Sequence, residues 1–154
     1  ADCPVWTGAH LEAAAFDASP GFRHVLCALD LGPQSNAALC WAAQMAAAFQ
    51  ARLSIVHATP PLEAGPARYF DPQWRVEMAS RARQDIENLK EKMGVQAEVL
   101  VDTGEAHKLV AGIAADKQAD LLVIGRSTAK GIIGRLRAVA YAIVRESPCP
   151  VVSV

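Results

Sequence analysis

The chain has 154 residues and a mass of 16.4 kDa, the length of one compact domain. Hydrophobic residues make up 52% and mean hydropathy is +0.15, so a real core can form and pervasive disorder is excluded. The 15 Lys and Arg against 16 Asp and Glu give a net charge of −1, which lacks the basic signature of a nucleic-acid or anionic-membrane binder.

Asp2-Cys3-Pro4-Val5-Trp6 opens the chain, and Pro148-Cys149-Pro150-Val151-Val152 echoes it near the other end. Chance can produce so short an echo. The alternative is that residues 1–8 are an extra strand resembling the end of a preceding repeat. Residues 9–21, which hold the Ala, Ser and Gly of a linker, then lead into a main domain over 22–154. No Arg/Lys-led apolar leader is seen, and no signal peptide is expected.

His24-Val25-Leu26-Cys27-Ala28-Leu29 reads as a buried strand ending at Asp30, and Gly32-Pro33 breaks it. Ser35 to Phe49 follows as an Ala-rich helix, with Ser35 placed to cap it. Leu53 to Ala58 is the next strand, closed by Pro60-Pro61, and Leu62 to Phe70 is a loop. Asp71-Pro72 starts a helix over Gln73 to Lys92 that stops at Gly94. Ala97 to Val101 alternates in polarity and suits a strand nearer an edge. Gly104-Glu105-Ala106 opens a third helix through Ala114. Asp120 to Gly125 is a strongly apolar strand, Arg126 to Lys130 a polar loop, and Gly131 to Glu146 a helix ended by Pro148. Cys149 to Val154 is the last strand.

Near-continuous apolar strands alternating with helices predict an α/β fold: a five-stranded parallel sheet, doubly wound, with both faces covered. Ligands of such sheets bind at the carboxyl ends of the strands, which draws attention to Asp30, Ala58 and the loop after Gly125.

Apolar runs such as Leu121 to Ile124 fall far short of the roughly 20 residues of a membrane-spanning helix. Cys3, Cys27, Cys40 and Cys149 form no C-x-x-C pair. Cys27 and Cys40 lie in apolar runs and read as reduced core residues of a cytoplasmic protein. His10, His24, His57 and His107 have no metal-ligand spacing, and His24 and His57 read as structural. No metal site and no catalytic residue is expected. Trp41 reads as packing, while Tyr69 and Trp74 could cover a cleft or a partner surface.

From Phe22 to Val154 the chain resembles the universal stress protein family. His24 to Asp30 with Ser35, Ala38, Leu39, Trp41 and Ala42 carries this first, then Leu53 to Ala58 with Pro60. Gly104-Glu105-Ala106, Ala119 to Gly125, Ala138-Val139-Ala140 through Arg145, and Ser147-Pro148-Cys149-Pro150-Val151 complete it. The resemblance implies the adenine nucleotide alpha hydrolase-like fold, with the strands from His24 onward in the order 3-2-1-4-5 plus the extra N-terminal strand. It also implies frequent dimers and a stress or regulatory role.

ATP-binding relatives share a loop G-x-x-G, about nine residues, then G-[ST], where glycines let the backbone approach phosphates and a helix N-terminus offers free N–H groups. Here Gly125 holds the first position, Thr128 the second, and Arg137-Ala138 stand for the final pair, with the spacing one residue short. Side chains at glycine positions crowd a phosphate, and Ala138 lacks a hydroxyl. Asp30 stands where ATP-binding relatives direct an Asp toward the nucleotide.

Leu121 to Arg145 contains no Asp or Glu but carries Arg126, Lys130, Arg135, Arg137 and Arg145. This is a solvated basic face, a partner contact, or an anion site in which Arg137 clamps phosphate beside Ser127, Thr128 and Lys130. The primary expectation is a stress-response binding module with a degenerate ATP loop and no cofactor. It would pair through its last strand as a homodimer or tandem domain, or with another protein. A nucleotide-binding protein using Asp30, Ala58, Gly125, Ser127, Thr128, Lys130, Arg137 and Ala138 is the alternative, with ATP as ligand and weak ATPase activity open. A redox sensor pairing Cys3 with Cys149 is the third reading.

Overall fold

The computed structural model describes residues 3–8, 21–60, 72–126 and 133–154, with only the backbone course over 133–138. The elements are β1 (Val5–Thr7), β2 (His24–Ala28), α1 (Ser35–Phe49), β3 (Arg52–Thr59), α2 (Pro72–Met93), β4 (Glu98–Thr103), α3 (Ala106–Asp116), β5 (Leu121–Ile124), α4 (Ile133–Glu146) and β6 (Val151–Ser153). The expected Leu62 to Phe70 loop and Tyr69 lie outside the described residues.

The sheet has six strands in the order β1-β6-β5-β2-β3-β4. Counted from β2 onward the order is the expected 3-2-1-4-5, and the extra N-terminal strand joins beside β6. The correction is that this makes one six-stranded sheet, not wholly parallel, because β1 runs antiparallel to β6. The other pairings are parallel, from β6 across to β4. The sheet is therefore mixed at one edge. The physical reason is that β6 would otherwise end the sheet with a row of unpaired backbone groups.

Strands β2 and β5 lie in the middle and carry apolar side chains toward both faces. Val25, Cys27, Leu121, Val123, Ile55 and Val152 pack against Leu39, Ala42 and Ala46 of α1 and Ile86 of α2. Leu26, Leu122, Ile124, Val56 and Val151 face the other way, onto Val110 and Ala114 of α3 and Ile143 of α4. Alternation along each strand thus feeds two separate cores from one sheet.

The amino ends of the strands are tied by a polar network. The Asp120 carboxylate accepts the backbone N–H groups of Arg23 and His24 at 2.8 and 2.9 Å. The buried His24 ring lies 2.9 Å from the Lys117 carbonyl and 2.8 Å from the Ser54 hydroxyl. Ser54 in turn donates to Glu98 at 3.2 Å, and Lys117 Nζ closes the chain on Glu98 at 2.7 Å. That ammonium is the main cause holding the Glu98 carboxyl below its ordinary range. His24 is structural, as its place in the strand suggests.

Cys27 is buried, but Cys40 is exposed, against expectation. Helix α1 turns Ala38, Leu39, Ala42 and Ala46 inward, and this register carries Cys40 outward. Burial pushes the Cys27 thiol far above its ordinary value and raises that of Cys149 as well. The redox pairing of Cys3 with Cys149 fails on register. Val5 faces Ser153 and Thr7 faces Val151, so the antiparallel course carries Cys3 away from Cys149.

Thiol labelling at mildly alkaline pH should therefore proceed in order. Cys3 and Cys40 should react rapidly, Cys149 slowly, and Cys27 only upon global unfolding. Mass spectrometry of labelled peptides with and without urea checks this; prompt labelling of Cys27 would contradict the packing of the central strand.

Candidate functional site

The carboxyl ends of β2, β3 and β5 meet the first turns of α3 and the inner side of α4 around a cavity of about 130 Å³. Its floor comes from Ala28, Val56, Ala58 and Ile124, and its wall from Ala106, Val110, Val139, Ala140 and Ile143. Leu29, Asp30 and Gly125 complete it. Small residues at the strand ends make the space, because Ala at 28 and 58 stands where a larger apolar residue would fill it.

Asp30 lies at the cavity mouth and is exposed. Its Oδ1 accepts the Gly32 N–H at 2.8 Å and the Ser35 hydroxyl at 3.3 Å. This is an Asx turn, and it bends the chain from β2 into α1. Leu31 at its centre has φ +58°, a left-handed backbone that costs a non-glycine residue roughly 1–2 kcal/mol. The neighbouring Leu29 carbonyl lies 2.7 Å from His57 Nδ1 on β3, and the Leu29 N–H donates to the Val56 carbonyl at 2.9 Å. The strained turn is thus held by bonds on either side of it.

Ser35 does not cap α1. Gln34 holds the cap position without a side-chain cap bond, and Ser35 is the first helical residue, buried and bonded to Asp30. Gly125 has a packing reason for being glycine. A Cβ there would lie 3.2 Å from the Gln34 Cβ, so β5 ends in close approach to the start of α1.

The structure therefore brings Asp30, Ala58 and Gly125 to one cavity. Ser127, Thr128 and Lys130 lie outside the described residues. Arg137 and Ala138 fall on α4, but only the backbone is described there. Sequence reading missed Ala106 and Val110, which line the wall from α3. Their signal was present: they follow the Gly104-Glu105 helix start at inward spacing.

Two of the basic residues between Leu121 and Arg145 are engaged elsewhere. Arg126 Nη2 donates to the Cys3 carbonyl at 2.6 Å, and Arg145 Nη2 lies 3.5 Å from Glu146. Arg126 thereby fastens the N-terminal strand rather than facing the cavity. Among the described residues, no group of three or more His, Cys, Asp or Glu could hold a metal ion. No helix among them is long and apolar enough to cross a membrane.

If Asp30 acts mainly as the turn acceptor, Asp30→Asn should keep most of the stability, because its amide oxygen can still accept the Gly32 N–H. Asp30→Ala should cost about 1–2 kcal/mol. Urea denaturation of both variants decides the point; equal losses would deny the turn its role.

Comparison with known proteins agrees with this architecture. Residues 21–154 match the universal stress protein family. The universal stress protein A homolog 1 of Coxiella burnetii is 28% identical over 141 residues, which span 86% of this chain and 96% of that protein. A crystal structure of a universal stress protein in complex with cAMP is 26% identical with a TM-score of 0.62, and the match covers 87% of this chain and 97% of that one. A functionally unknown protein from Pseudomonas aeruginosa PAO1 shares the fold with a TM-score of 0.70 at 18% identity; there the match covers 99% of this chain but 52% of the other. With its family match extending over the whole sheet from β2 to β6, the chain belongs to the universal stress protein family.

Proposed function

We propose that this protein is a stress-response regulatory module that works by binding and does not hold ATP in the manner of its ATP-binding relatives. The observation that carries this is the cavity itself. At about 130 Å³ it is smaller than the roughly 300–1,000 Å³ of ordinary small-molecule sites, and its lining is apolar apart from Asp30 and Gly125. The described walls suit a flat, base-sized group.

The sequence supports the same reading. Thr128 and the Arg137-Ala138 pair replace residues whose lack of a side chain, or whose hydroxyl, serves phosphate in the ATP-binding loop. The one described acid at the mouth, Asp30, already accepts two hydrogen bonds from its own turn. Among the described cavity residues nothing pairs a nucleophile with a base, and catalysis is not part of the proposal.

A second reading has its own observation in favour. The solved universal stress protein that is 26% identical to this chain is a complex with cAMP. A nucleotide with a single phosphate asks less of a glycine cradle, and Arg137 with Lys130 could supply the missing charge.

Calorimetric titration with ATP, with and without Mg²⁺, should give no heat at millimolar ligand and no thermal stabilisation. Micromolar ATP binding would overturn the proposal. Titration with cAMP tests the second reading, which requires binding that Arg137→Ala weakens at least about tenfold, a loss of roughly 1.4 kcal/mol.

A further inference from the structure

The polar network at the amino ends of the strands has one proton too few for a neutral His24. Nδ1 of the ring lies 2.9 Å from the Lys117 carbonyl, which can only accept, so Nδ1 carries a proton. Lys117 is the residue that closes α3, where carbonyls have no partner within the helix. Nε2 lies 2.8 Å from Ser54 Oγ, and Ser54 Oγ lies 3.2 Å from Glu98 Oε2. The Ser54 hydroxyl has a single proton for these two contacts.

With a neutral ring, one of the two contacts goes without a proton. If Ser54 donates to Nε2, its oxygen meets the Glu98 carboxylate with lone pairs on both sides. If it donates to Glu98, its oxygen meets an unprotonated Nε2. A ring protonated at both nitrogens removes the conflict: Nδ1–H donates to Lys117, Nε2–H to Ser54, and Ser54 to Glu98. Glu98 cannot supply the missing proton, because Lys117 Nζ, 2.7 and 3.0 Å from its two oxygens, keeps it ionised. The ring is 2% exposed, so water is not at hand to fill the gap.

The charges around the ring divide in the same direction. Glu98, the first residue of β4, is joined to it through Ser54. Asp120, just before β5, accepts the His24 backbone N–H at 2.9 Å. The C-terminal end of α3 turns the negative end of its dipole to the imidazole. Of the cations, Lys117 is paired with Glu98, while Arg52, the β3 residue in register with His24, and the adjacent Arg23 are exposed to solvent. Asp116, the last residue of α3, is exposed as well.

We infer that His24 is held as an imidazolium in the folded chain, and that this buried proton is a pH-sensitive lock joining α3 and the edge strand β4 to β2 and β3. Loss of the proton leaves the His24–Ser54–Glu98 chain one link short and loosens the attachment. The folded chain keeps a proton that the unfolded chain releases. The stabilisation is therefore complete below about pH 6.5, the ordinary histidine value, and is lost as pH rises through the value of the folded ring. The lock sits at the end of the strands opposite the cavity and does not depend on what the cavity binds.

Nitrogen-15 NMR of the histidine rings at about pH 7 reads the protonation state on the unmutated chain. Both His24 ring nitrogens should have the shift of a protonated nitrogen. In Ser54→Ala, which removes the relay, Nε2 should be unprotonated, and in Glu98→Gln the proton affinity of the ring should fall at least about tenfold. Urea denaturation between about pH 6 and about pH 8 reads the consequence. The unfolding constant of the unmutated chain should rise with pH, relative to that of Ser54→Ala, by up to about tenfold per unit. Titration of the other groups is common to both chains and cancels. Circular dichroism verifies that the variants keep the fold. An unprotonated Nε2 in the unmutated chain, ring protons indifferent to Ser54→Ala, or equal pH slopes in the two chains would each overturn the inference.

Discussion

Burial of β2 and β5 on both faces is the constraint from which the rest of the structure follows. A strand with no solvent-facing side needs backbone partners on both edges and apolar cover above and below. Those demands place β3 and β5 on either side of β2, and β2 and β6 on either side of β5. They also divide the helices, with α1 and α2 over one core and α3 and α4 over the other. Polar chemistry is left only the two ends of the strands.

The two ends then take different roles. The amino end is closed by Asp120, His24, Ser54, Glu98 and Lys117, whose bonds run between β2, β3, β4 and the end of α3. The carboxyl end is opened by alanines and bounded by a strained turn at Leu31. Rigid joinery at one end lets the other carry an unfilled space without loss of strand register. The ligand proposed for that cavity would be selected by shape and by exclusion of water more than by charge.

Much of this was legible in the sequence because large apolar residues report their own burial. The helix Ser35–Phe49 and the five strands from His24 onward follow from period and punctuation. Residues that report weakly were misread. Cys40 lies among alanines, which are too small to mark which face of a helix is inward. Ser35 has the chemistry of a cap but is drawn instead to Asp30. Gly94, at φ +64°, announces the end of α2, yet Gln50 and Gln118 take the same left-handed backbone at the ends of α1 and α3 without any comparable signal. At the site, Asp30, Ala58 and Gly125 were readable from strand ends; Ala106 and Val110 follow the Gly104-Glu105 helix start at inward spacing, but it is the placement of α3 that turns that face to the cavity.

The strand order has a consequence for how the chain comes together. In the β2–β3 pair, His24 meets Arg52, 28 residues away. In the β2–β5 pair, Val25 meets Leu121, 96 residues away. Loop-closure entropy grows with the logarithm of separation, so the second pairing costs about 1 kcal/mol more than the first when each forms from the open chain. The β2–α1–β3 unit is therefore the cheaper nucleus. The apolar seam between β2 and β5, the most thoroughly buried part of the finished molecule, is entropically the dearer one to close.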